Sequence, residues 1–80
     1  MENVMLSVRN GIPRKVVHFK HGTIYEVYDI ALHHEGKFEV VSYRNVETGQ
    51  KYGGRPIDEF FDVKSSPQDI RVLVPRFSPI

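Results

Sequence analysis

The sequence has no cysteine and no tryptophan. Without cysteine there can be neither a disulfide nor a thiolate metal site. No apolar run approaches the ~18 residues that a membrane helix needs. The opening MENVMLSVRNG carries Glu2 where a secretory leader carries positive charge. An excess of one charge is missing too: 11 Lys and Arg face 10 Asp and Glu, a formal net charge of +1. That balance counts against a protein that grips a long duplex by its phosphates. The expectation is a soluble, cytoplasmic chain with no membrane partner, and with nucleic acid as a disfavoured one.

Signatures of catalysis are equally scarce. The stretch Gly49–Gly54 lacks the G-K-[ST] of a phosphate loop, and Ser7, Ser42 and Thr48 stand in no nucleophile-elbow context. There is no H-E-x-x-H, and His18, His33 and Glu26 are not spaced so that they must converge on a metal. The reading is therefore a non-enzyme with no cofactor and no metal.

What is present is a pattern of short strands. Eighty residues make one small domain. A chain this short buries only ~60–65% of its unfolded surface, so a homo-oligomer is the expected state. Most of the aromatic residues and all four histidines lie between Val16 and Arg44. Val16–Phe19 is β-branched and aromatic, and Lys20–Thr23 is a turn. Ile24–His33 is the longest strand. Its two faces, Tyr25, Val27, Asp29, Ala31, His33 and Ile24, Glu26, Tyr28, Ile30, Leu32, are both substantially apolar. Either a bulge near Asp29 switches the inward face, or both faces are covered by the N-terminal arm, the C-terminal tail or another subunit.

His34–Lys37 is a hairpin loop, Phe38–Val46 the partner strand and Glu47–Gln50 a tight turn. Lys51–Arg55 is a short strand whose two glycines imply a sharp bend. Pro56–Phe61 suits one helical turn, with proline first and acids next to it. Lys64–Asp69 reads as a loop, Ile70–Val74 as a last strand and Pro75–Ile80 as an extended tail. The expected fold is mostly β, an SH3-like barrel of five to six short strands with one helical turn at 56–61. An OB-like barrel is the alternative. Residues 1–12 form an arm or extra strand, and 13–80 the barrel.

The motifs His18-Phe19-Lys20, Gly22, Tyr25-Glu26-Val27, Ile30-Ala31, His33, Glu35, Val40-Val41, Tyr43-Arg44, Arg55-Pro56, Glu59-Phe60 and Pro75-Arg76-Phe77 occur in order. In them the chain resembles a short bacterial and phage domain family of unknown function, over about residues 16–80. Val16 and Val17 stand where that family usually has Tyr and Arg. The resemblance implies a bacterial or phage source and brings no activity.

Arginine captures phosphate or carboxylate with two parallel bonds. Arg44, on a strand, and Arg55, after two glycines, are therefore candidate anion ligands together with Lys20. The structural alternative is that each arginine pairs with an internal acid, Glu26, Glu39 or Glu59. Tyr25, Tyr28, Tyr43 and Tyr52 offer flat faces with a polar tip for stacking a nucleobase, against the alternative of core packing, and Tyr25 and Tyr43 are taken as the ligand's partners. His18 and His33 are hydrogen-bonding partners for the same ligand. The expected function is non-catalytic binding of an anionic, nucleotide-like small molecule, in a phage the sequestering of a host signalling nucleotide. The alternatives are a protein-interaction adaptor with an SH3-like aromatic groove, and a nucleic-acid binder on the basic N-terminal third.

Overall fold

The computed structural model describes residues 2–80. The chain runs α1 (Glu2–Arg9), β1 (Arg14–His18), β2 (Ile24–Leu32), β3 (Glu39–Asn45), β4 (Lys51–Pro56), α2 (Ile57–Phe60), β5 (Val63–Ser65), β6 (Leu73–Pro75) and β7 (Phe77–Pro79). The mostly β reading holds. Five strands form one antiparallel sheet in the order β4-β3-β2-β1-β7, and β5 and β6 form a separate two-stranded sheet.

The barrel does not hold. The edge strands β4 and β7 are not paired with each other, so the sheet stays open. Its inner face is closed by helices, with Val4 and Val8 of α1 and Phe60 of α2 filling the core. Residues 63–75, which would have had to bridge the edges, pair among themselves. The end of the chain also differs from the sequence reading. The expected loop at 64–69 begins as β5, the last strand before the tail is Leu73–Pro75 rather than 70–74, and the tail itself becomes β7 against β1.

The apolar character of both β2 faces comes from a bulge. Val27 pairs with Tyr43 but Asp29 with Ser42, so Tyr28 is the extra residue. Tyr25 and Val27 face inward before it and Ile30 after it, opposite Val41. A second irregularity lies between Val41 and Tyr43 on the β4 side, where Gly53 and Gly54 span the gap. Gly54 has φ +83°, which a side chain would strain.

The N-terminal segment is a helix, not an arm or strand. Val4 and Val8 are one turn apart, and both are buried. The helix ends in a Schellman motif: Ile12 N–H donates to Ser7 O at 2.8 Å and Gly11 N–H to Val8 O at 3.0 Å, with Gly11 at φ +82°. Arg9 donates to both Glu39 oxygens at 2.5 and 2.7 Å, and Arg14 to Ser7 Oγ at 3.0 Å, fixing the helix across the sheet.

Candidate functional site

Strand register places Tyr25, Tyr43, Tyr52 and Phe77 on the inner face, at the end that α1 leaves uncovered. Tyr25 meets Tyr43, Tyr52 and Phe77 edge-on, with ring centroids at 5.4, 6.2 and 5.7 Å. Tyr43 stacks on Tyr52 at 5.3 Å, and Phe77 on Phe60 at 4.2 Å. The cluster is graded in depth. Phe60, Phe77 and Tyr43 are buried, Tyr25 is half-buried and Tyr52 is 43% exposed. The last two present aromatic surface to solvent. Burial, then the neighbouring Tyr52 and Tyr43 phenols, push the Tyr25 pKa up, so its hydroxyl stays protonated.

Cations surround these rings. Arg55 Nε donates to Tyr43 Oη at 3.2 Å, and Nη1 reaches Glu59 at 3.4 Å. Arg76 sits at the corner between the two sheets. Its guanidinium donates to Asp62 at 2.7 and 3.0 Å, its N–H to Asp62 O at 2.9 Å, and its carbonyl accepts from Phe19 N–H at 2.9 Å. The His18 ring meets the Phe77 edge at 5.2 Å and stacks beside His21 at 5.6 Å. His18 Nδ1 accepts from the Lys20 N–H at 3.1 Å. In the neutral ring the proton is thus on Nε2, and the imidazole is a donor. Burial first, and then the positive charges of His21, Arg76, Arg55 and Lys20, hold the His18 pKa below its ordinary 6.5.

Of the residues singled out in the sequence, His18, Lys20, Tyr25, Tyr43 and Arg55 come together here. Arg44 does not. It follows the inward-facing Tyr43, so it lies on the opposite face, bonded to Glu26 at 2.9 and 2.8 Å. His33 is at the far turn, stacked on Phe38 at 4.6 Å. Both arginines took a carboxylate, as the structural alternative had it, but Arg55 did so beside an exposed tyrosine. Tyr52 was weighed with the other tyrosines but not chosen, and Arg76 and Phe77 were missed as site residues. The closing Pro75-Arg76-Phe77 motif was the available signal for the latter two.

Two hollows lie near the surface. One of about 360 Å³, lined by Asn3, Met5, Leu6 and Arg9, is on the outside of α1, away from every group just described. The other, about 210 Å³, is lined by Gly22, Thr23, Ile24, Asn45, Val46 and Glu47, beside the β1–β2 turn. Its lining follows the β1–β2 turn and the end of β3 and includes none of the aromatic rings or cations just described. His33, His34 and Glu35 could offer a metal three donors within 4.8 Å of one another. However, His33 Nδ1 is already taken by the Glu35 N–H at 3.2 Å, and His34 is 80% exposed.

The His18 environment fixes a pH dependence. A histidine whose pKa is depressed on folding binds its proton more readily when unfolded, so its contribution is full above 6.5 and falls as pH drops from there through the lower folded value. Asp62, held low by Arg76, loses its contribution only in the more acidic carboxylate range. Thermal melts from about pH 8 to pH 3 should therefore decline in two stages. His18→Gln should remove the first stage and leave the second. A first stage unchanged in His18→Gln would mean that another group causes it.

A small open antiparallel sheet, closed on one face by two short helices and carrying a cation-rimmed aromatic end, defines the class of protein. The family described as "Protein of unknown function (DUF1653)" matches residues 14–79, and the chain belongs to it. No curated protein and no solved structure matches the chain. No helix among the described residues is long and apolar enough to cross a membrane.

Proposed function

We propose that the protein is a non-catalytic binding module for an anionic, nucleotide-like small molecule. The observation that carries this reading is the arrangement of Arg55, which bonds the Tyr43 hydroxyl next to the exposed Tyr52 ring. A planar ring stacks on Tyr52 and meets Tyr25 edge-on, while its anionic substituent meets Arg55 and the His18 turn. Catalysis is left out, because it requires a nucleophile and base in hydrogen-bond reach. Here the rim's side-chain bonds run from arginine to phenol and carboxylate. Among the described residues the aromatic end has no enclosing cavity of its own, and the hollow beside the β1–β2 turn, about 210 Å³, is smaller than the ~300–1,000 Å³ of an enclosing ligand site. A second copy closing over the exposed end is the arrangement we propose to complete it. In a phage-borne protein, inert capture of this kind would serve to sequester a host signalling nucleotide.

The test is calorimetry of the full chain against mono-, di- and cyclic nucleotides and the matching nucleosides. At least one nucleotide should bind ~10-fold or more tightly than its nucleoside, a difference of about 1.4 kcal/mol for the anion. Tyr52→Ala and Arg55→Ala should each weaken that binding ~10-fold or more. Tyr52→Ala, at an exposed position, separates binding from folding. Silence of the whole panel at millimolar concentration would end the nucleotide reading.

A second reading, an interaction adaptor, is favoured by one feature. Val63, Leu73 and Pro75 share an exposed face of the β5–β6 sheet, with Ile70 and Val72 exposed in the approach to β6. It would tolerate loss of Arg55 and Tyr52 and fail on Leu73→Asp in partner pull-downs.

A further inference from the structure

We propose that the β1–β2 turn, where it meets the Arg76 corner, is a subsite for a tetrahedral dianion, the phosphate end of a phosphate-ester ligand, and that filling it draws a proton onto His18. This rests on the binding-module reading and names the ligand class for it. The turn supplies Lys20, His21 and the Nε2–H of His18. The Arg76 corner is tied to the turn by the Phe19 N–H bond to the Arg76 carbonyl. From β4, Arg55 reaches the same cluster through Tyr43, which also lies against Phe77 at 5.9 Å. The groups facing His18 are thus Lys20 and His21 from its own turn, Arg76 and Phe77 from the corner and β7, and Arg55 from β4.

The carboxylates nearby are already engaged. Asp62 is held by Arg76 and Lys64, and Glu59 by Arg55. The charges that act on His18 are all positive. The turn's own donors are Lys20, His21 and the His18 Nε2–H, and behind them stand the Arg76 and Arg55 charges, each already bonded to a carboxylate. Together they suit an anion whose oxygens point in several directions, as in phosphate, better than a planar carboxylate. A dianion placed among them reverses the field at the imidazole and favours its protonated form. The second proton must go onto Nδ1, so the Lys20 N–H loses its acceptor. Binding is therefore coupled both to proton uptake and to release of a turn hydrogen bond. Affinity rises as pH falls through the His18 pKa of the complex and levels off below that of the free protein.

The experiment is an NMR titration of the four histidines from about pH 8 to pH 5, assigned with His18→Gln, in sodium sulfate and in sodium chloride of equal ionic strength. Sulfate is dianionic throughout, so only the protein titrates. The His18 midpoint should rise by about half a pH unit or more in sulfate. His34, at the opposite turn, should stay put, and the Lys20 amide should shift with His18. Lys20→Ala, an exposed substitution, should cut the rise at His18 by about half. Equal movement of His18 and His34, or a rise untouched by Lys20→Ala, overturns the subsite. Nucleotide binding with an unmoved His18 overturns the subsite and leaves the binding module standing. A sulfate response with no nucleotide binding overturns the module and upholds a bare anion site.

Discussion

Removal of residues 1–12 should abolish cooperative unfolding or lower the melting temperature by about 20 °C or more. The family match begins at residue 14, so a boundary drawn there would discard α1. Yet Val4 is fully buried and Val8 is 5% exposed, in one cluster with Val16, Val27 and Val41. Burying a valine stabilises by roughly 1.5–3 kcal/mol, and two of them by about 3–6, before counting the sheet surface bared beneath. Small domains have only ~5–15 kcal/mol in total. An open sheet with an uncovered apolar face is also a template for aggregation. Scanning calorimetry of the truncated and full chains decides it, with Leu6→Ala, at a position 62% exposed, as the control that should unfold with the full chain. A truncated domain melting within about 3 °C of the parent would show that α1 is peripheral.

The same helix shows where the sequence was legible and where it was not. Val4, Leu6 and Val8 alternate as a strand does, while Val4 and Val8 alone have helical spacing. The deciding signal was downstream: glycine just past the last turn, then Pro13. Without that signal, residues 1–12 read as an arm or extra strand. The long hairpin was legible because nine residues of β2 suffice to show that one parity could not stay inward unless the second face were covered, and of those two alternatives the structure has the bulge. Residues 63–80 were not legible. Three-residue strands carry too little alternation, and Pro75 and Pro79 read as tail. For the site, residue type picked out His18, Tyr25, Tyr43 and Arg55. Facing separated Arg44 from Arg55, and facing depends on the β3–β4 irregularity at Gly53–Gly54, which sequence does not fix in register. Much of the motif pattern that marked the family is pairing within the fold, Glu26 with Arg44 and Arg55 with Glu59, together with the stacking of Phe60 on Phe77. Among the described residues, the His18 and Lys20 side chains take part in no ion pair, which leaves the donors of their turn available to an anion.

Phe60→Ala should be the most damaging single truncation of a side chain. Phe60 is fully buried, lies parallel to Phe77 at 4.2 Å and 9°, and meets Tyr43 at 5.2 Å. It is the one buried residue of α2, a helix of four residues. So short a helix has no stability of its own, and its place against the sheet depends on this ring. A buried Phe→Ala change costs about 3–5 kcal/mol, which at 4–8 °C per kcal/mol lowers the melting temperature by roughly 12–40 °C. The loss should extend to the site. Glu59 precedes Phe60 and bonds Arg55, and Tyr43 rests on the same ring. Phe60→Leu keeps most of the volume and should cost about 1.5 kcal/mol or less. Phe61→Ala, at a half-buried neighbour, should fall between the two. Denaturant unfolding of the three variants gives the order. If Phe60→Ala costs under about 1 kcal/mol, the sheet can collapse onto the vacancy, and Phe60 does not anchor α2.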